Sequence, residues 1–245
     1  MSTRPGRDDF GLVSLGLAGD YVYFGAMGGG MPLRTMFIVS PIAGLLGGIF
    51  GGLFSRSLIA MTLPGHPLLM TIRSRPLLLA ALCGFVVALT GWATNGPSWG
   101  TGYETTKLLL SGHGASMTFG LAKFISTIAT ALSGAPGGIF APSLSVGAGL
   151  GRLISGLFPD SPAGAIVLLG MVGYFTGVVR APMTSVIIMM EMTADRTMIL
   201  PLFATALIAD TVSSKVCKHK LYHALSRQFR GETTATNPVP LSQAA

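Results

Sequence analysis

Long apolar runs alternate with short polar connections along this chain. The first runs roughly from Leu33 to Ala60, with Arg34 and Arg56 near its ends. Pro76 opens a second, which continues to about Thr94 and closes in a segment carrying Trp92 and Trp99. A polar connection, 95–114, is read as a loop. Beyond it lie Met117 to Leu132, broken by Lys123, then Ala163 to Val179, Met183 to Met192 and Leu200 to Val212, with Leu221 to Phe229 as a short amphipathic end. An uncharged run of about 18 residues or more predicts a helix that crosses the hydrocarbon layer. The pattern therefore predicts an all-α integral membrane protein.

Several of these runs are only about ten to fifteen residues long, short of the ~20 that cross a bilayer alone. Helices that stop at that depth leave backbone groups open, and those groups must face protein or a watery cavity because lipid offers no partner. Broken and re-entrant helices therefore point to a permeation site. Small residues add a packing expectation. Gly44, Gly47, Gly48, Gly51 and Gly52 crowd the first run, and Ser143, Gly147, Gly151 and Ser155 recur every four residues. Both sets predict helices in close mutual contact.

Composition agrees: half of the 245 residues are hydrophobic and 10% are charged, where soluble domains carry about a quarter. The net charge of +7 is not interleaved with aromatics as a nucleic-acid surface requires. Instead Arg56, Arg73 and Arg75 share one connection, and Lys215, Lys218, Lys220, Arg227 and Arg230 gather near the C-terminus. Such clusters mark cytoplasmic sides, so the C-terminus is expected in the cytoplasm of a cell-membrane protein. The connection 93–116 carries only Glu104 and Lys107 and is assigned to the opposite side. Cys83 and Cys217 form no disulfide framework. The stretch Phe10 to Ala18 is too short to span, and Asp8 and Asp9 interrupt the basic region a signal peptide needs.

The stretch "SGAPGGIFAPSL", 133–144, concentrates glycine and proline without a charge. A helix start leaves about four N–H groups without partners and carries roughly half a positive charge, which suits an anion. Gly134, Gly137 and Gly138 let the backbone turn and approach a ligand, and Pro136 and Pro142 suit a turn and a first helical turn. The N–H groups of Gly138, Ile139 and Phe140 would face the ion, with the Phe140 ring as an apolar wall. No Lys or Arg lies between 124 and 151, so the motif is expected to be formally neutral and to release what it binds. From these residues alone, an ordinary helix-linking turn is an equal reading.

"SGAPGGIFAPSLSVGAGLGR" resembles the GxFxP region of the CLC chloride channel and chloride/proton antiporter family, and "GYFTGVVRAPMTSVIIMMEMT", 173–193, resembles that family's next signature. "GTGYE" at 100–104 and "KLYHAL" at 220–225 match in type and position. The resemblance implies a chloride site made by the backbone amides of Ile139 and Phe140 and the hydroxyl of Tyr222. It implies chloride transport as a channel or antiporter, possible proton coupling, no enzyme activity, no cofactor and no metal. The family fold is two inverted repeats around one pore, and this chain resembles the second. Neither the GSGIP nor the GREGP motif of the first repeat occurs, and no residue corresponds to the antiporters' internal glutamate. The implied organisation is 1–19 as the remnant of a preceding helix, 20–230 as the membrane domain and 231–245 as a cytoplasmic tail. The partners implied are the bilayer and either a second copy or an N-terminal half. Ile187, Ile188, Leu202 and Ala206 are expected at a dimer interface. A truncated, non-conducting remnant or assembly partner is the alternative.

Other candidates carry less. Glu191 is near the end of its helix, where water or a local partner can reach it, and Lys123 has no assigned role beyond the expectation that it points to an aqueous vestibule. "GAGLGR", 147–152, lacks the third glycine of a dinucleotide fingerprint, and His113 with Ser116 lacks an accompanying acid. A His66→Cys variant in intact cells should resist a membrane-impermeant maleimide added outside and react once the membrane is opened. Ready labelling from outside would reverse the assigned orientation.

Overall fold

In a chain whose apolar runs exclude water, the backbone must bond to itself, and helices do so within one segment. The computed structural model describes residues 23–24, 31–62, 75–114, 116–134, 137–193 and 197–222. The expected remnant at 1–19, His66, Arg73, Pro136 and the tail at 231–245 lie outside the described residues. Eight helices appear among them: α1 (Leu33–Thr62), α2 (Pro76–Ala93), α3 (Tyr103–Leu110), α4 (Phe119–Leu132), α5 (Phe140–Ser155), α6 (Ala163–Val179), α7 (Pro182–Thr193) and α8 (Ile199–Val216). Helical geometry resumes at Leu221 and Tyr222. By length and composition α1, α2 and α8 can cross a membrane, while α4 and α6 are shorter apolar helices.

Two elements differ from the expectation. The connection 95–114 is not all loop, because Thr106, Leu109 and Leu110 fall on one helical face and are buried, which makes α3. Gly102, left-handed at φ 76°, starts it. At the other end, α8 continues past Val212, since Thr211 Oγ1 and Ser214 Oγ donate to carbonyls of their own helix and satisfy themselves inside it.

Helix α6 is the hub. Residues 165–178 are all buried, as a helix apolar all round must be. A Cβ at Gly47 or Gly51 would collide with the backbone of Gly173 or Gly177, and one at Gly147 or Gly151 with Gly170–Met171 or Ile166–Val167. The two predicted glycine patterns thus press α1 and α5 onto α6. Gly44, Gly48 and Gly52 face α8 in the same way, against Thr205, Ala209 and Val216. The side of α8 that meets them also buries Leu202 and Ala206 completely. This corrects their expected role at a dimer interface: they are core residues of the single chain. Ile187 is exposed and Ile188 half-buried.

Helix α2 is the opposite case, with only Cys83 and Gly91 buried. Gly91 is covered by the Trp99 ring, whose Nε1 donates to the Val87 carbonyl at 3.2 Å. The rest of its apolar surface, including Leu77, Phe85 and Trp92, faces outward.

Gly47→Val should lower stability by about 1–3 kcal/mol or more, because an overpacked backbone contact must open. Gly84→Ala, where an added Cβ meets nothing within 4 Å, should be neutral or stabilising by up to about 1 kcal/mol. Denaturant titration of the purified variants in detergent measures both.

Candidate functional site

Helix α4 stops at Leu132, and Gly134 turns the chain in the left-handed region at φ 79°. Gly134 is the glycine of the motif whose missing Cβ the backbone requires. At Gly137 and Gly138 an added Cβ would meet nothing within 4 Å, so what they provide is open space. Helix α5 then begins at Phe140 after Ile139, and Pro142 occupies its first turn, where a missing N–H costs nothing. The amides of Gly138, Ile139 and Phe140 donate to no described carbonyl, as a helix start dictates.

Gly138 and Ile139 border a cavity of about 280 Å³ whose walls also include Gly100, Lys123, Ser126, Thr127, Gly137 and Pro142. Thr127 Oγ1 donates to the Lys123 carbonyl at 2.7 Å and Thr130 Oγ1 to the Ser126 carbonyl at 2.8 Å, so both hydrogens are used within α4. The Phe140 ring turns away from this cavity. It packs edge-on against Phe175, centroids 5.0 Å apart, and lines a second cavity of about 140 Å³ with Tyr23, Phe24, Thr101, Tyr103 and Ser145. The same two backbone segments, 100–101 and 138–141, wall both spaces.

The residue that sequence reading undervalued is Lys123. Its side chain is only 2% exposed, and its ammonium donates to the carbonyls of Ser98 at 3.1 Å and Gly100 at 2.5 Å. An ammonium has three N–H donors; two meet these carbonyls, and the residue lines the cavity. The site is therefore not formally neutral, contrary to expectation. The absence of Lys and Arg between 124 and 151 concealed a charge one residue earlier, a helix away in space. Its sequence signal was a single lysine inside an apolar run, where ionisable groups are costly unless they serve a site.

The 98–102 turn is held from a second side. Ser145 Oγ donates to the Thr101 carbonyl at 2.6 Å and accepts from Thr106 Oγ1 at 2.9 Å. Gly102 leaves room for this contact, since a Cβ there would sit 2.8 Å from Ser145 Oγ. Tyr222 is half-exposed and lines neither cavity. It follows Leu221, which is fully buried in a cluster with Phe54, Tyr174 and Cys217, against which Ile139 also packs. The structure thus gathers Gly137, Gly138, Ile139 and Pro142 around one cavity, sends the Phe140 ring to another, and leaves Tyr222 outside both. Pro136 lies outside the described residues.

The lesser candidates dissolve into packing. Gly147, Gly149 and Gly151 of "GAGLGR" lie inside α5 against α6 and α4. His113 Nδ1 pairs with Ser111 Oγ and Ser116 Oγ with Thr118 Oγ1, each locally. Glu191 is exposed near the end of α7. Among the described residues no group of three or more His, Cys, Asp or Glu gathers as metal ligands.

The family model described as voltage gated chloride channel matches residues 6–214. Among solved structures, a CLC-type fluoride/proton antiporter superposes with a TM-score of 0.67 at 19% identity, over 82% of this chain and 49% of its own. A eukaryotic CLC transporter gives 0.59 at 24%, over 81% and 36%. A slow cyanobacterial Cl⁻/H⁺ antiporter gives 0.58 at 24%, over 85% and 50%. These likenesses show the fold, and the chain spans half or less of each of those chains.

Lys123→Met leaves two carbonyls without their donor and should cost about 1–3 kcal/mol. Hydrogen exchange should rise at 98–102 while α6 keeps its protection.

Proposed function

Because the chain belongs to the voltage gated chloride channel family, we propose that it takes part in transmembrane chloride transport, as a CLC-type channel or chloride/proton antiporter. In this reading it supplies the second of two inverted repeats, and a complementary half or further copies complete the pore. The observation that carries it is the start of α5, where the amides of Gly138, Ile139 and Phe140 have no described acceptor and Gly138 and Ile139 line a cavity of about 280 Å³.

An anion there would meet the partial positive charge of a helix start. The ammonium of Lys123 adds long-range attraction, tempered by the two carbonyls it already serves. That balance suits a conducted ion, since binding must be firm enough to admit it and weak enough to release it. Gly137 and Gly138 keep the approach open, Gly134 turns the chain and Pro142 sits in the first turn of α5. Tyr222 contributes a hydroxyl, a role that rests on the resemblance of "KLYHAL" to the family's final helix. The basic C-terminal cluster argues for a cytoplasmic C-terminus.

Halide titration by calorimetry, on this chain alone and co-expressed with a family N-terminal half, tests the reading. Gly138→Val should fold, because its Cβ meets no protein atom, and should abolish chloride binding by filling the approach. Phe140→Leu should retain most of it. Tyr222→Phe should weaken it by up to the ~1.5–3 kcal/mol of a hydrogen bond to a charged group. Equal binding by Gly138→Val and wild type would reduce the motif to a turn and favour a non-conducting assembly partner.

A further inference from the structure

The chloride reading leaves unexplained a cluster of polar contacts at the C-terminal end of α6. Arg180 ends that helix in the left-handed conformation, φ 59° and ψ 44°, which a non-glycine residue adopts at a cost unless its surroundings hold it there. Its side chain is 12% exposed. The guanidinium Nε donates to Asp210 Oδ1 at 3.3 Å, and Nη1 donates to the carbonyls of Cys217 at 3.2 Å and Lys218 at 3.4 Å.

Those two carbonyls belong to the link that follows α8. Cys217 is extended, φ −134° and ψ 110°, and helical geometry resumes four residues later at Leu221. Leu221 is fully buried beside Cys217, Tyr174 and Val178. The Cys217 thiol donates inward to the His219 carbonyl at 3.3 Å and is 6% exposed. The link is thus pinned by Arg180 through its backbone and by Leu221 through its side chain, and Tyr222 is the next residue.

We propose that Arg180 is a positioning residue for the final helical segment, holding the 217–218 carbonyls so that Leu221 seats and Tyr222 is aimed. The part concerning Tyr222 rests on the chloride reading above; the clamp itself does not. The guanidinium spreads its donors over a planar fork, Nε on the carboxylate and Nη1 on the two carbonyls, which the single donor point of a lysine does not reproduce. Asp210 orients the fork, but the carbonyl contacts carry the effect. The expected order of damage follows: loss of the fork is severe, loss of the Asp210 charge mild.

The test uses the full chain in lipid nanodiscs with Cys83→Ser, which leaves Cys217 as the only thiol. Maleimide modification of Cys217 should accelerate about tenfold or more in Arg180→Gln and several-fold in Arg180→Lys, and stay within twofold in Asp210→Asn. Should Arg180→Gln fail to fold, Arg180→Lys and Asp210→Asn still decide. An Asp210→Asn effect as large as that of Arg180→Lys reduces the contact to a simple ion pair, and wild-type labelling in both Arg180 variants removes the clamp. Chloride titration alongside the family N-terminal half then reads the second part. Arg180→Lys should weaken binding no further when Tyr222→Phe is already present, whereas additive losses would overturn the positioning of Tyr222. If Tyr222→Phe alone leaves affinity unchanged, the hydroxyl role fails while the labelling result still judges the clamp.

Discussion

Backbone-to-backbone contact at α6 is the constraint on which the rest of this structure depends. Lipid chains are as apolar as leucine side chains, so helices in a membrane gain little from hydrophobic exclusion and must gain from close approach. Gly47, Gly51, Gly147 and Gly151 let two helices touch the α6 main chain directly, and Gly170, Gly173 and Gly177 receive them. With α1 and α5 fixed in this way, the start of α5 is fixed as well. The direction of its first amides is therefore a property of the packing and not of the motif alone.

The chemistry of the cavity follows from how three separate pieces of chain meet. Helix α5 brings N–H groups, α4 brings an ammonium, and the 98–102 turn brings carbonyls that hold the ammonium back. Ser145 ties the same turn to α5. Donors and acceptors are thus set against one another in a space nearly without side-chain charge, and the field there reflects a difference between them. Phe140 lies next to this boundary: its neighbour Ile139 lines one cavity and Phe140 itself the other.

Much of this was legible from the chain itself. The glycine spacings predicted the close contacts, and the runs predicted α1, α2, α4, α6 and α7 nearly to their ends. What escaped had physical reasons. Helix α3 is short and carries Glu104 and Lys107, so its buried face is only three residues wide. The partners of Lys123 are carbonyls 23 and 25 residues away, and a main-chain carbonyl leaves no mark on the sequence. The buried side of α8 is hard to read because large apolar residues, Leu200 and Leu207, lie on its exposed side as well. Thr205, Ala209 and Ser213, spaced by four and all buried, were the small-residue stripe that marks it.

Lys123 also constrains how the protein is made. A lysine at the centre of a helix entering the bilayer alone costs roughly 2.5–3.5 kcal/mol on insertion scales. Its acceptors, Ser98 and Gly100, are synthesised before it and stand in the turn that follows α2. The polar partners that α4 needs for its lysine thus come from chain that precedes it. Helix α2, which buries only Cys83 and Gly91, is joined to that turn through Trp99, whose Nε1 donates to the Val87 carbonyl, so a change in α2 reaches the lysine through the carbonyls that hold it.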